Sequence, residues 1–199
     1  MNVLKVHRIS DSIKIPEIKT KQSACFDIEY SNIGKTTYNG FTSSNKPFTR
    51  SLISGLFIGP NERVQVPTGL YFDIPVGYSV RIHSRSSVAY TLGLTMVNSE
   101  GIIDSDYVDE IFLLLHNVTD NGCTINPGQR LAQGELVKLE PVILEDAAER
   151  PGIKTDRVGG IGSTGSGGSA TKTYEQIEAE KAKIKKKLRQ DDEPKVDNI

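Results

Sequence analysis

The chain is poor in the residues that build metal centres and disulfide frameworks. Its 199 residues include two cysteines, Cys25 and Cys123, and three histidines, His7, His83 and His116. Two thiols and three scattered imidazoles do not supply the clustered ligands of a zinc site. The cysteines are therefore expected to be buried thiols of a reducing compartment. An excess of one charge is missing as well. Lys and Arg number 24 against 25 Asp and Glu, a formal net charge of −1. That excludes a whole-molecule polycation, and no direct nucleic-acid binding is expected. Long apolar runs are also missing. No stretch approaches the roughly 20 apolar residues that span a bilayer, and the first residues lack the apolar core of a signal peptide. The expectation is a soluble, cytoplasmic protein without membrane contact. Hydrophobic residues make up 37% and charged residues 25%, enough for one packed domain of ordinary size plus tails.

What is present, up to about residue 145, is a series of short strands. Val3, Leu4 and Val6 alternate into a first strand with Asn2, Lys5 and His7. Arg63 to Pro67 reads as another. Tyr78, Val80 and Ile82 alternate with Ser79, Arg81 and His83, the period of a half-buried strand. Turn signals separate the runs at Gly59-Pro60-Asn61, Pro67-Thr68-Gly69, Pro75-Val76-Gly77, Asn121-Gly122 and Asn126-Pro127-Gly128. Ser87 to Leu92 has room for one helical turn. The pattern predicts an all-β sandwich or barrel over residues 1–150. Residues 36–57 read as an inserted loop or hairpin, with Asn39-Gly40 as its two-residue turn. Residues 151–170 form a glycine-rich, flexible arm. Residues 171–199 are a charged tail with a short helix. In it Thr173 and Gln176 make a capping box, acids precede bases, and Tyr174, Ile177, Ile184 and Leu188 form a sparse apolar stripe.

Four stretches carry chemistry. The link NSEGIIDSDYVDEIFLLLHN, Asn98 to Asn117, is unusually acidic. Asp104 follows the apolar pair Ile102-Ile103, so its carboxylate stands at a strand end, where it can orient and deprotonate a water. Tyr107 offers a flat ring to a sugar or base, while Asp106 and Asp109 read as a solvated turn. The stretch Ser84-Arg85-Ser86-Ser87-Val88-Ala89 places a guanidinium and hydroxyls at a strand end, a set suited to phosphate oxygens. In Gly128-Gln129-Arg130-Leu131-Ala132-Gln133, the amide of Gln133 is a further donor. In Arg157-Val158-Gly159-Gly160-Ile161-Gly162-Ser163-Thr164-Gly165, successive backbone N–H groups can converge on an anion. The lysine of a Walker loop is absent there, so this is not a P-loop.

In order and content these stretches resemble the motifs of the trimeric deoxyuridine triphosphatase (dUTPase) family. Ser23-Ala24-Cys25-Phe26-Asp27-Ile28 resembles a further motif, the first. Gly101-Ile102-Ile103-Asp104-Ser105-Asp106-Tyr107 is the most specific piece, and the resemblance covers about residues 1 to 165. It implies a dUTPase-like β-barrel or jelly roll and a homotrimer with shared active sites. It also implies Mg²⁺-assisted hydrolysis of dUTP to dUMP and pyrophosphate, which limits uracil in DNA and supplies dUMP for dTMP synthesis. Asp104 would activate the water that attacks the α-phosphorus. Tyr107 would pack on the deoxyribose and exclude a 2′-hydroxyl. Asn98 and the backbone from Gly101 through Ile103 would read uracil. Arg85, Ser86 and Gln133 would hold phosphates, with Ser87 beside them in the substrate site. Asp27 would order the magnesium through water. Arg157, Ile161, Gly162, Ser163 and Thr164 would come from the arm closing over the triphosphate.

The chain departs from the family's pattern at several positions. Ser87 replaces a glycine, Glu100 replaces a proline, and Val108-Asp109 replaces Arg-Gly. Ile161 stands where an aromatic ring stacks on the base, and its spacing from Arg157 is one residue short. Arg85-Ser86-Ser87-Val88-Ala89 also resembles the dCTP deaminases, a sister family. A deaminase, or a bifunctional deaminase and dUTPase, is therefore the enzymatic alternative. A dUTP-binding regulatory protein is the non-enzymatic one, acting on a partner through the insert or the basic tail. Asp104-Ser105-Asp106-Tyr107 favours the hydrolase.

Overall fold

Alternation of apolar and polar side chains builds most of the strands. In β8 (Tyr78–Ser84), Val80 and Ile82 are buried while Arg81 and His83 face outward. In β6 (Arg63–Pro67), Val64 and Val66 point inward. In β11 (Phe112–Asn117) Leu113 and Leu115 do the same. In β2 (Phe26–Glu29), Phe26 and Ile28 are buried and Asp27 and Glu29 are turned out. These are strands with one wet face, the usual condition of antiparallel sheets. The structure is a computed structural model and describes residues 3–152, 154–155, 178–179 and 181–183.

Thirteen strands are arranged in antiparallel sheets among the described residues. Beside β8 lie β10 (Gly101–Ile103) and β13 (Arg130–Lys138), giving a four-stranded sheet of order β10-β8-β13-β2. A five-stranded sheet has the order β4-β3-β6-β11-β9, with β3 at Thr37–Phe41, β4 at Pro47–Ser51 and β9 at Leu94–Met96. Two small pairs complete the set. β1 (Lys5–Arg8) joins β7 (Leu70–Asp73), and β5 (Leu56–Ile58) joins β12 (Cys123–Ile125). Side chains from all these sheets meet in one apolar core that includes Ile28, Leu56, Val66, Val80, Leu113 and Leu131. The architecture is all-β, as the strand pattern predicts. One wide helical turn, Val88–Leu92, interrupts it between β8 and β9. It ends at Gly93, whose φ of 61° suits a residue without a side chain.

These strands belong to a unit that spans Met1–Ile143. In the second unit, Leu144–Ile199, the described residues up to 155 carry no regular strand or helix. Residues 178–179 and 181–183 are helical, with Lys181 Nζ paired to Glu178 at 2.9 Å. The expected capping box and apolar stripe of this helix lie outside the described residues.

Residues 36–57 contain a hairpin, but its turn is not at Asn39-Gly40. Those two residues lie inside β3, and the chain reverses at Thr42–Lys46. There the Thr42 N–H donates to the Lys46 carbonyl, the Asn45 N–H donates to the Thr42 carbonyl, and Asn45 supplies the left-handed conformation at φ 60°. Gly40 serves a close approach instead. A Cβ on it would lie 2.5 Å from the Arg63 carbonyl oxygen and 2.5 Å from the Phe48 ring. The hairpin is fastened to the body by a forked ion pair, Arg50 to both oxygens of the buried Glu62 at 2.7 Å each. Glu62 also accepts the Gly59 N–H at 2.8 Å. The first strand starts slightly later than expected, at Lys5. The cysteines are half-buried rather than fully buried: Cys123 opens β12 and Cys25 immediately precedes β2. Both are free, and burial pushes both thiols up, so they stay protonated at neutral pH.

Candidate active site

The acidic link is two things joined. Its first part follows β10, whose Ile103 packs against the core and fixes where the strand ends. Asp104 comes next, exposed, and its carbonyl accepts the Tyr107 N–H at 3.2 Å. Tyr107 leaves part of its ring open, at 38% exposure, while its hydroxyl donates to the Glu110 carbonyl at 3.0 Å. Burial, then the charges of Asp109 and Glu110, push the phenol above its ordinary value, so it remains a donor. Asp106 and Asp109 are exposed, as a solvated turn requires.

The second part is a clamp. Glu110 is only 4% exposed. Its Oε1 accepts the Gly69 N–H at 2.9 Å and its Oε2 meets Lys35 Nζ at 2.7 Å. Next to it, Thr68 Oγ1 donates to the Ile111 carbonyl at 2.6 Å, and the Ile111 N–H donates to the Leu70 carbonyl at 2.8 Å. So the last carboxylate of the link anchors the ends of β6, β7 and β11, and the exposed Asp104 and Tyr107 stand on a rigid base.

Upstream, the turn from β9 to β10 presents Asn98, which is exposed. Gly101 closes the turn. A Cβ there would lie 3.2 Å from Ile82 Cβ and 3.6 Å from Asn98 Nδ2, so a side chain would crowd Ile82 and the amide that faces it. Asn98, Gly101, Ile103, Asp104 and Tyr107 thus form one local group, because they share ten residues of chain.

A second group forms at the far end of the four-stranded sheet. Gln133 stands in register between Asp27 on β2 and His83 on β8, and Arg85 directly follows β8. Asp27 bridges two arginines, Oδ1 to Arg85 Nε and Oδ2 to Arg130 Nη1, both at 2.9 Å. Arg85 Nη1 also donates to the Arg130 carbonyl at 3.1 Å, and Gln133 Nε2 to the Ser84 carbonyl at 3.4 Å. Ser86 and Ser87 are exposed at the start of the wide turn, where the Ala89 N–H donates to the Arg85 carbonyl. Two guanidiniums share one carboxylate, and the bridge fixes the direction of the Arg85 fork. Nothing in the sequence singles out Arg130, since its partner Asp27 lies 103 positions away.

Asp104 and Arg85 stand apart on one chain, although the turn before β10 reaches the Arg85 end of β8, where Ser84 Oγ accepts the Met96 N–H at 3.1 Å. β10 runs against β8 with Gly101 opposite Ile82 and Ile103 opposite Val80, which sets Asp104 level with Ser79. Arg85 is six residues further along, about 20 Å at the rise of a strand. Among the described residues no cluster of three or more His, Cys, Asp or Glu is arranged to hold a metal. The oxygens of Asp27 already receive arginines, so that carboxylate suits water-mediated contact with an ion and not direct ligation. Arg157, Ile161, Gly162, Ser163 and Thr164 lie outside the described residues. No helix among the described residues is long and apolar enough to cross a membrane.

The family model described as dUTPase matches residues 51–165. A deoxyuridine 5′-triphosphate nucleotidohydrolase of Nautilia profundicola is 33% identical over 166 residues, covering 81% of this chain and 98% of that relative. One from Brucella melitensis is 45% identical over 109 residues, 54% of this chain and 68% of the relative. Among solved structures, the dUTPase of Streptococcus mutans superimposes with a TM-score of 0.55 at 24% identity, over 73% of this chain and all of that one. A mutant dUTPase of Staphylococcus bacteriophage 80alpha, solved with dUpNHpp, gives 0.65 at 21% identity, over 83% and 99%. These two likenesses speak for the fold.

Proposed function

The chain belongs to the dUTPase family, and from that premise we propose that the two residue groups are halves of one active site, completed between copies of the chain. The protein is a dUTP diphosphatase: it binds dUTP and hydrolyses it to dUMP and pyrophosphate. A deaminase or a purely regulatory binder fits the matching family less well. The observation that supports the shared site is the strand register, which puts Asp104 and Arg85 about 20 Å apart along β8. A base and the phosphate donors of one reaction must lie within a few ångströms of a single triphosphate. In a homotrimer, the Asp104 group of one copy and the Arg85 group of another can face the same nucleotide.

In this reading Asn98 and the backbone of Gly101 through Ile103 take the uracil edge. The open ring of Tyr107 lies on the deoxyribose and leaves no room for a 2′-hydroxyl. Arg85, Ser86, Ser87 and Gln133 hold phosphate oxygens. Asp104 accepts a proton from a water, whose oxygen bonds to the α-phosphorus as the bond to the departing pyrophosphate breaks. Asp27 would help hold Mg²⁺ through water, and the metal, bound mainly by the substrate's phosphates and by water, would supply charge neutralisation at the leaving group. One solved relative, a mutant dUTPase from phage phi11 of S. aureus, is described with a structural Mg(II) ion. Arg157, Ile161, Gly162, Ser163 and Thr164 are read as further substrate-binding residues, and the basic tail is left for another partner. The setting is cytoplasmic.

Subunit complementation tests the shared site. Asp104→Asn and Arg85→Ala variants are each expected to lose most of their turnover, Asp104→Asn by several powers of ten. Co-refolded together, they form mixed trimers in which some sites hold neither substitution, and activity returns. Activity no greater than the sum of the two variants refutes a site shared between copies.

A further inference from the structure

Glu100 sits on the turn between β9 and β10, between Asn98 and Gly101, and none of the roles above uses it. Its Oε2 accepts a hydrogen bond from Arg81 Nη1 at 2.8 Å, and its Oε1 lies 3.5 Å from His83 Nδ1. Both partners are on the outward face of β8. The other nitrogen of His83 faces Glu135 of β13 at 3.7 Å. The turn is thereby tied, through side chains, to the two strands that lead to Arg85 and Gln133.

The turn is tight. The Ser99 N–H donates to the Met96 carbonyl at 3.2 Å, and the Glu100 N–H to the Asn98 carbonyl at 2.6 Å. Ser99 has a φ of 60°, a conformation that residues with a side chain adopt reluctantly. Such a turn relaxes unless something outside it holds it. The backbone pairing of Gly101 with Ile82 holds its far side. Glu100 holds the middle, two residues after Asn98 and directly before the glycine.

We propose that Glu100 is a positioning residue for base selection, fixing Asn98 and the Gly101 backbone against the uracil edge through its ion pair with Arg81. The inference rests on the assignment of this turn to uracil. Arg81 is the partner that matters most, because its contact is short and its charge is permanent. His83 adds a second contact on the same strand.

The test is steady-state kinetics of the full chain with dUTP and dCTP, for Glu100→Ala, Glu100→Gln, Arg81→Ala and the double alanine variant. Glu100→Ala is expected to raise KM for dUTP about two- to fivefold, the size of a half-exposed ion pair, with kcat changed less. The preference for dUTP over dCTP falls by a similar factor. Glu100→Gln keeps an acceptor for Arg81 and recovers part of the loss. The double variant loses no more than the larger single loss. Damage to folding alone lowers the active fraction and leaves KM and the preference untouched. An unchanged KM and preference in Glu100→Ala, or fully additive losses in the double variant, overturns the proposal. Asn98→Ala distinguishes its failure from that of the site. If Asn98→Ala abolishes the preference and Glu100→Ala does not, only the positioning role fails. If Asn98→Ala also leaves the preference intact, the turn does not read the base, and both fall.

Discussion

Asp27 is the carboxylate whose role the structure makes testable. It could serve the reaction by holding water on a magnesium ion, or by holding two arginines in place. The contacts show the second role directly, and leave Asp27 a reach to magnesium through water only. Its side chain is 16% exposed, against 22% for Arg85 and 44% for Arg130, and both ion pairs measure 2.9 Å. A hydrogen bond between charged groups away from solvent contributes about 1.5–3 kcal/mol, and an exposed pair about 0.2–1 kcal/mol. The Arg85 contact lies nearer the first range and the Arg130 contact nearer the second. Asp27→Asn keeps the shape and one acceptor oxygen but removes the charge. The net loss is then about 1–2 kcal/mol, a fall of about 5- to 30-fold in kcat/KM. The assay is pyrophosphate release from dUTP, repeated over a wide range of Mg²⁺ concentration. With the arginines misdirected, added Mg²⁺ does not restore the rate. A loss that disappears at high Mg²⁺ refutes the arginine account, and a kcat/KM within about twofold of the parent refutes any role for the bridge.

Two further outcomes are expected. Tyr107→Ala lowers the preference for dUTP over UTP, while Tyr107→Phe, which loses only the bond to Glu110, keeps most of it; an unchanged ratio in Tyr107→Ala removes the ring from the sugar pocket. Arg50 holds the Glu62 carboxyl below its ordinary value. The stability this adds is complete above about pH 4.3, the ordinary glutamate value, and fades as pH falls through the depressed one. Arg50→Met therefore costs about 1–2 kcal/mol at pH 7, since water screens the open side of the guanidinium, and the gap in Tm between parent and variant narrows as the pH falls below that ordinary value; a gap independent of pH contradicts the pairing.

The strands were legible where one face is wet. Arg63–Pro67 and Tyr78–Ser84 announce themselves because Val64, Val66, Val80 and Ile82 alternate with polar neighbours. Asp104 and Tyr107 stand out as candidates for a different reason: the whole first group lies within ten consecutive residues. What stayed hidden depends on partners distant in sequence. Glu110 looks like one more turn carboxylate until Gly69 and Lys35 are seen beside it, and Arg130 looks idle until Asp27 is. Asn39-Gly40 misled because the pair has the composition of a hairpin turn. The glycine was there to let β6 and the Phe48 ring come close, a cause that only the packed sheet reveals.

The hairpin of β3 and β4 also decides where the five-stranded sheet stops. β4 is its last strand, and five residues of unpaired backbone would invite a strand from another molecule. Pro47 opens that edge without an N–H to offer, and exposed Thr49 and Ser51 keep its outer side polar. Arg50 curls back over the Phe48 ring, 3.9 Å from its centre, and covers apolar surface that would otherwise be sticky. The hairpin thus ends the sheet in a border ill-suited to further pairing. Losing the Arg50 anchor would cost more than local stability, because an uncovered Phe48 and a loosened β4 would make the protein prone to clumping at high concentration.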